Sequence, residues 1–438
     1  MTQFHNIRPL FSALLLFGSI GLIAGLPFPA PGEEARSLTR DDAIRLAFQK
    51  NRELGVAALD IKRAASRMRW SGRLENPELE LSYSGDGLGL DENESVFELG
   101  ISQKFPLTAK LKNEKHLRRH QIILAEAEVA EKRRELAGEV DLAIVDLLST
   151  REKIRLSNKL VSLNREISDF LKEQAKRGEV SNLDVTQAVL NGRTLEQEVK
   201  SLSALEKQQL LQLNQLIGLD ATTSVDLQSN MALPGTRPSF DVSLRTVLCQ
   251  RPDYVLGLTK IDEAEAAITL EESKRWEDIA VRFFMEEEDA VDEPTGLESN
   301  TFAGFGISVP LPLRNRNQEG IEQAQINHEA AAKELEAARF RIRGECEEAF
   351  HERADAWDIA REASGEILQL AEKNLEDFKT AYEQGQASLI QVQRAQEQML
   401  ELRNSSVEYI TFYHRAAARV RLATGSYPGL SVSSDQPK

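Results

Sequence analysis

Two kinds of alternation divide this chain. Over long stretches apolar residues return every three or four positions, which lays them along one side of a helix. Over short stretches they return every second position, which puts them on one face of a strand. The helical pattern is longest from Ala109 to Lys176 and from Asn315 to Gln384, and neither stretch contains proline. In the first, Leu156, Leu160, Leu163, Ile167 and Leu171 form a stripe of the coiled-coil kind. Roughly 65 helical residues reach about 100 Å, a length no compact domain requires. Shorter helical stretches run from Leu38 to Arg73 and from Val242 to Arg275. The strand pattern lies between short and long helices. Leu79, Leu81 and Tyr83 alternate with Glu78, Glu80 and Ser82, and Phe97, Leu99 and Ile101 alternate with Glu98, Gly100 and Ser102. Further on, Ile279, Val281 and Phe283 share a face, and Phe305, Ile307 and Val309 alternate with Gly304, Gly306 and Ser308. Acid-rich loops are expected at 84–95 and 286–300.

The order helix, strand, loop, strand, long helix occurs twice, and so does the turn that ends each long helix. Gly178, Ser181, Leu183, Val185 and Ala188 match Gly385, Ser388, Ile390, Val392 and Ala395, every pair 207 positions apart (385 − 178, for example). Glycine suits the left-handed position that ends a helix, and serine suits the cap that starts the next. Each turn therefore reads as the tip of a helical hairpin, whose return helix runs to Gly218 in one half and Gly425 in the other. Asn51 and Asn76 correspond to Arg251 and Trp276 at an offset of 200, and Gly100 to Gly306 at 206. The chain is a tandem duplication. The first repeat spans 38–220, with strands at 78–105 and a helical hairpin at 109–217; the second spans 241–425, with strands at 278–311 and a hairpin at 315–424. A linker at 221–240 joins them, and a Ser-, Pro- and Gly-rich tail at 426–438 is expected to be loose.

Composition narrows the class. The formal charge is −16, which speaks against nucleic acid as a partner. Charged residues make up 28% and aromatics 6%, as long solvent-bathed helices require. Arg8, an apolar run from Leu10 to Leu26 and a Pro-rich segment make residues 1–30 a secretory signal peptide. No Cys occurs in the first 40 residues, so no lipid anchor through an N-terminal Cys is expected. No other run is long and apolar enough for a membrane helix, so a membrane span must be made of strands. Cys249 and Cys346 stand outside any metal or redox motif and read as inert thiols, with a disulfide between the two as the alternative. His116 and His120 are four apart on a helix, a spacing that can hold a metal, but Lys115, Arg118 and Arg119 surround them. No metal site, cofactor or catalytic motif is expected.

Four amphipathic strands cannot close a membrane barrel, for which about eight is the practical minimum. Several chains must pool their strands, with the long helices on the opposite side of the membrane from the acidic loops. The duplicated tip, together with the joint Gly306-Ile307-Ser308-Val309-Pro310-Leu311-Pro312-Leu313-Arg314-Asn315-Arg316-Asn317-Gln318, resembles the TolC-like outer-membrane efflux channels. The resemblance covers essentially all of the mature sequence, and the joint is similar to that of the CzcC/CusC-like heavy-metal branch. It implies a homotrimer with a 12-strand β-barrel in outer-membrane lipid and a 12-helix periplasmic α-barrel. It also implies a periplasmic adaptor (membrane fusion protein) and an inner-membrane RND-type pump as partners. Gly178, Ser181, Gly385 and Ser388 would form the surface on which the adaptor docks. Asp184, Gln187, Gln391 and Arg394 would line the tunnel aperture. Where the family often places carboxylates, six and nine residues after the second tip glycine, this chain has Gln391 and Arg394, so no acidic ring is expected there. A channel for drug efflux or type I protein secretion shares the whole pattern. A periplasmic coiled-coil adaptor or structural protein would lack the two matched hairpins or the strands.

Overall fold

The structure, a computed structural model, describes residues 36–85, 94–239, 243–292 and 296–430. The expected signal peptide lies outside them. The first repeat contains β1 (Arg36–Leu38), α1 (Arg40–Lys50), α2 (Arg52–Trp70), β2 (Glu78–Gly85), β3 (Ser95–Phe105), α3 (Lys110–Lys176) and α4 (Asn182–Ile217). The connection holds β4 (Val225–Leu227). The second repeat contains α5 (Leu244–Gln250), α6 (Pro252–Ser273), β5 (Ile279–Asp292), β6 (Gly296–Ser308), α7 (Gln318–Ala363), α8 (Glu366–Glu383) and α9 (Leu389–Thr424).

Four expectations are corrected. The opening helix of each repeat is two helices. Asn51 ends α1 and caps α2, its Oδ1 accepting from the Leu54 N–H at 2.9 Å; in the second repeat Pro252 at the first helical position makes the break after Arg251. The second long helix is also interrupted. Ser364 turns its hydroxyl back to the Ala360 carbonyl, Gly365 leaves helical geometry at φ −91° and ψ −127°, and α8 starts anew. The acidic segment 286–300 is mostly ladder rather than loop, since β5 and β6 pair through Asp292 and Gly296. Consecutive acids carry no apolar alternation, so the pattern could not see these rungs. Finally, residues 426–430 pack: Tyr427 and Leu430 are buried with Ile44, Val140 and Val225. Residues 431–438 lie outside the described ones.

The core is a series of clusters strung along the helices. The largest holds α1, the middle of α3, the end of α4, and the pair β1–β4, which runs parallel with Leu38 opposite Leu227. A second lies toward the tips and joins the two hairpins through Leu171, Ala188, Leu375, Val392 and Ala395. A third roots the second repeat around Ile342, Phe350 and Val420, where the buried Cys346 thiol donates to the Ala423 carbonyl at 3.4 Å; Cys249 is exposed and both are free.

Both return helices end on the same kind of knuckle. Gly218 (φ 70°) lies against the Lys50 carbonyl and Gly425 (φ 69°) against that of Gln250, and 50 and 250 are equivalent positions. The residue after each carbonyl reaches for the end of the return helix. Asn51 Nδ2 donates to the Leu216 carbonyl at 2.9 Å, and Arg251 Nη1 to the Ala423 carbonyl at 2.8 Å. The duplication is thus preserved in contacts made by different side chains.

One buried charge ties the repeats together. Asp141 on α3, with its side chain 0% exposed, pairs with Arg40 of α1 at 3.0 Å and Arg421 of α9 at 2.7 Å. His414, two turns before Arg421 on the same side of α9, is half-buried, and its buried Nε2 finds no partner among the described residues. Burial lowers its pKa first, and the charges of Arg40 and Arg421 lower it further against the bond to Met231 and the charge of Asp141. An unfolded chain therefore takes up a proton, near pH 6.5, that the folded chain resists. Stability is fullest above that pH and falls as the pH drops. Between about pH 6.5 and 5 the apparent melting temperature should fall less in His414→Gln than in the unaltered protein. Identical slopes in the two would exclude His414 as the source.

Candidate functional site

The two hairpin tips lie at one end of the helical body, side by side, and are built differently. In the first, Gly178 takes φ 74°, and the bonds Gly178 N–H to Ala175 O and Glu179 N–H to Gln174 O, both 3.0 Å, close α3. The Ser181 hydroxyl then accepts from the Leu183 N–H at 3.1 Å and starts α4. In the second, Gly385 takes φ 69° and the Gln386 N–H reaches the Ala381 carbonyl at 2.8 Å. Here Gln391 does the clamping: its Oε1 accepts from the Ser388 N–H at 2.8 Å and from the Ser388 hydroxyl at 3.1 Å. The glycines and serines expected at the tips are all exposed.

The four residues expected at an aperture are not brought together within one chain. Asp184 is half-buried near Tyr382 of the other hairpin, where burial and then the Asp184 charge push the Tyr382 hydroxyl up. Tyr382 in turn meets Phe170 edge to face, with ring centroids 6.0 Å apart. Gln187 donates to Asn191 at 3.1 Å. Gln391 is spent on its cap, and Arg394 is exposed without an ion pair among the described residues. Two residues were overlooked as surface. Leu183 is 79% exposed and Ile390 59%, equivalent positions in the first turn after each cap. The matched aliphatic pair was visible in the repeat; only the structure turns both outward.

The joint motif before α7 is a self-capped corner. Asn317 is the non-glycine residue with positive φ (57°) among the described residues, and its Nδ2 donates to the Glu271 carbonyl and carboxylate at 2.9 and 2.8 Å. Arg316 Nε donates to the Pro312 carbonyl at 2.9 Å, and Gln318 bridges the Arg316 N–H and Arg314 carbonyl. The motif therefore holds the strands against α6. His116 and His120 stack edge to face at 4.7 Å, and no group of three metal-binding side chains occurs among the described residues.

At the other end the strands form one antiparallel sheet in the order β2-β3-β5-β6, leaving an edge of β2 and of β6 unpaired. The register lines up Leu79, Ile101, Phe283 and Phe305 in one row and Leu81, Leu99, Met285 and Ala303 in the next. Leu79, Leu81, Phe283, Met285 and Phe305 are each more than half exposed. The opposite face is mainly polar, with Glu78, Glu80, Glu98, Arg282 and Glu286 among small residues and the rings of Phe284 and Phe302. No helix among the described residues is long and apolar enough to cross a membrane. A sheet apolar outside and polar inside is the pattern of a strand barrel in lipid.

The sequence profile of the outer membrane efflux proteins matches residues 43–222 and 244–426, one stretch in each repeat. The chain belongs to this family. As an outer membrane efflux protein it is a channel component and not an enzyme. It is 21% identical over 374 residues, 85% of this chain and 86% of the other, to the cobalt-zinc-cadmium resistance protein CzcC of Cupriavidus metallidurans. Its fold matches the transmembrane channel CusC with a TM-score of 0.67 at 17% identity, covering 88% of this chain and 91% of that one. It matches the outer membrane channel CmeC of Campylobacter jejuni with 0.68 at 16% identity, covering 88% and 85%. The TolC-like fold expected from the duplicated tips is therefore the fold of this efflux protein.

Proposed function

We propose that three copies of this chain form a channel through the outer membrane, the exit duct of a tripartite pump that expels metal cations. The open four-stranded sheet carries this reading. Its unpaired edges and exposed apolar rows are covered at once if three sheets pool into a twelve-strand barrel, with the long hairpins continuing the duct into the periplasm. Likeness to CzcC, a cobalt-zinc-cadmium resistance protein, supports metal cations as cargo. Energy would come from an inner-membrane pump, joined to the duct by a periplasmic adaptor that docks on the tips. The chain expressed with its own leader should fractionate with the outer membrane. In detergent it should weigh, by light scattering, roughly 140 kDa of protein, a little under three full-length chains of 49.0 kDa because the leader is removed. A soluble periplasmic monomer would overturn the barrel.

Docking is read from the exposed Gly178, Ser181, Gly385 and Ser388, now with Leu183 and Ile390 between them as apolar anchors. A double variant Leu183→Asp and Ile390→Asp should reach the outer membrane as a trimer, yet leave cells as sensitive to cobalt, zinc and cadmium as cells lacking the chain. Undiminished metal resistance would remove the tips from docking. Sensitivity of the deletion strain to organic drugs alone would replace the metal cargo.

A further inference from the structure

The polar face of the sheet is not uniformly acidic. Between the row Lys104–Ala280–Ser308 and the row Val96–Glu288–Asn300 it carries five carboxylates, Glu78, Glu80, Glu98, Glu286 and Glu288, against two bases, Lys104 and Arg282. Lys104 sits at the helical end, 3.3 Å from Glu78 and 3.7 Å from Glu75. Arg282 starts one row further out, level with Glu78, and its side chain reaches toward the middle of the sheet. Its Nε lies 2.8 Å from Glu80, its Nη2 pairs with Glu98, and its guanidinium carbon is 5.4 Å from the centre of the Phe284 ring. Glycines leave room for this stack. A Cβ at Gly100 would sit 3.3 Å from Arg282 Nε, and one at Gly304 would sit 2.5 Å from the Phe284 ring. Toward the outer end, Glu286 lies directly across from Glu98 in the register and has no basic partner among the described residues; nor has Glu288.

Like charges directly opposite on neighbouring strands repel. A guanidinium fixed by two carboxylates, an aromatic ring and two glycines therefore has a task at this level of the wall. We infer that Arg282 sets the charge selectivity of the lumen, cancelling the carboxylates midway through the barrel and leaving the uncompensated ones at its outer mouth. The inference rests on the proposed trimeric barrel, in which this face lines the water-filled path. Per chain these rows carry two positive and five negative groups, a net of −3, hence −9 in a trimer. Without Arg282 the figures are −4 and −12, and a ring of freed Glu80 and Glu98 side chains appears mid-lumen. Conduction requires that a cation be attracted enough to enter and held weakly enough to leave. Arg282 supplies the second condition, because a divalent ion passing it meets no bare pair of carboxylates.

The test is the reversal potential of the purified full-length protein in planar lipid bilayers under a potassium chloride gradient, with zinc chloride then added. The unaltered channel should favour potassium modestly. Arg282→Gln should raise the potassium-to-chloride permeability ratio about two- to fivefold and make the current sensitive to zinc at concentrations the unaltered channel ignores. Arg282→Lys should stay close to the unaltered channel. A conducting Arg282→Gln channel with unchanged selectivity and zinc response overturns the inference. Should that variant fail to insert, the triple variant with Glu80→Gln and Glu98→Gln decides: selectivity at or below that of the unaltered channel supports the inference, and stronger cation preference overturns it. Absence of any conductance from the unaltered protein would instead sink the barrel reading.

Discussion

Gly218→Ala is expected to destabilise the protein by about 3–5 kcal/mol, whereas Gly178→Ala should cost only about 1–2 kcal/mol. Both glycines end a helix in the left-handed region, at φ 70° and 74°. The conformational cost to alanine is therefore shared. The surroundings are not. A Cβ on Gly178 meets nothing within 4 Å, but one on Gly218 would sit 2.3 Å from the Lys50 carbonyl oxygen and 2.5 Å from its carbon. Even a favourable C–H···O contact keeps carbon and oxygen about 3.3 Å apart. The obstacle is backbone at the end of α1, which cannot swing aside as a side chain does. Relief requires α4 to lift off the α1–α2 junction, which also pulls the Leu216 carbonyl from Asn51. The same argument places Gly425→Ala between the two, since its Cβ would lie 2.8 Å from the Gln250 carbonyl. Apparent melting temperatures of the detergent-solubilised protein should fall by roughly 5–10 °C for Gly218→Ala and by much less for Gly178→Ala. Equal shifts would mean that the knuckle does not bear on stability.

These glycines illustrate what can be read from a sequence of this kind. Gly178, Gly218, Gly385 and Gly425 announce helix ends by type and by their repeated spacing, and all four adopt positive φ. The strand faces were equally legible, because Leu79, Leu81 and Phe305 alternate with small or acidic residues. Invisible were features whose cause is a distant partner. Nothing local marks Asp141 as the buried link between Arg40 and Arg421. The clamp of Gln391 on Ser388, by contrast, was legible, since Ser-x-x-Gln at a helix start is a capping box. Three-residue strands such as β1 and β4 are too short for any periodicity, and they form only because the connection returns alongside the start of the chain. The break at Ser364 and Gly365 was not read, because the surrounding apolar spacing continues unchanged through it.

Arg251→Ala should be among the most damaging single changes, at about 3–5 kcal/mol, because it strands a buried carboxylate. Arg251 is only 1% exposed. Its fork meets both oxygens of Asp253 at 2.8 and 2.6 Å, while Nη1 donates to Glu345 and to the Ala423 carbonyl at 2.9 and 2.8 Å. Burial alone would push the Asp253 carboxyl up; the guanidinium holds it below the usual carboxylate range. A folded pKa that is depressed adds stability above the unfolded value of about 3.9, and that stability is lost as the pH falls. Alanine removes this contribution, so the gap between variant and unaltered protein should hold from neutrality down to about pH 4 and narrow only below it. Arg251→Lys keeps the charge but not the planar fork, and should fall in between. Asn51, the equivalent residue of the first repeat, provides the control. It makes the matching bond to Leu216 and caps α2 but neutralises nothing, so Asn51→Ala should cost about 1–2 kcal/mol with no such pH dependence. If the two alanine variants lose the same stability with the same pH profile, the buried charge at Arg251 is incidental and the helix-end bond alone holds the knuckle.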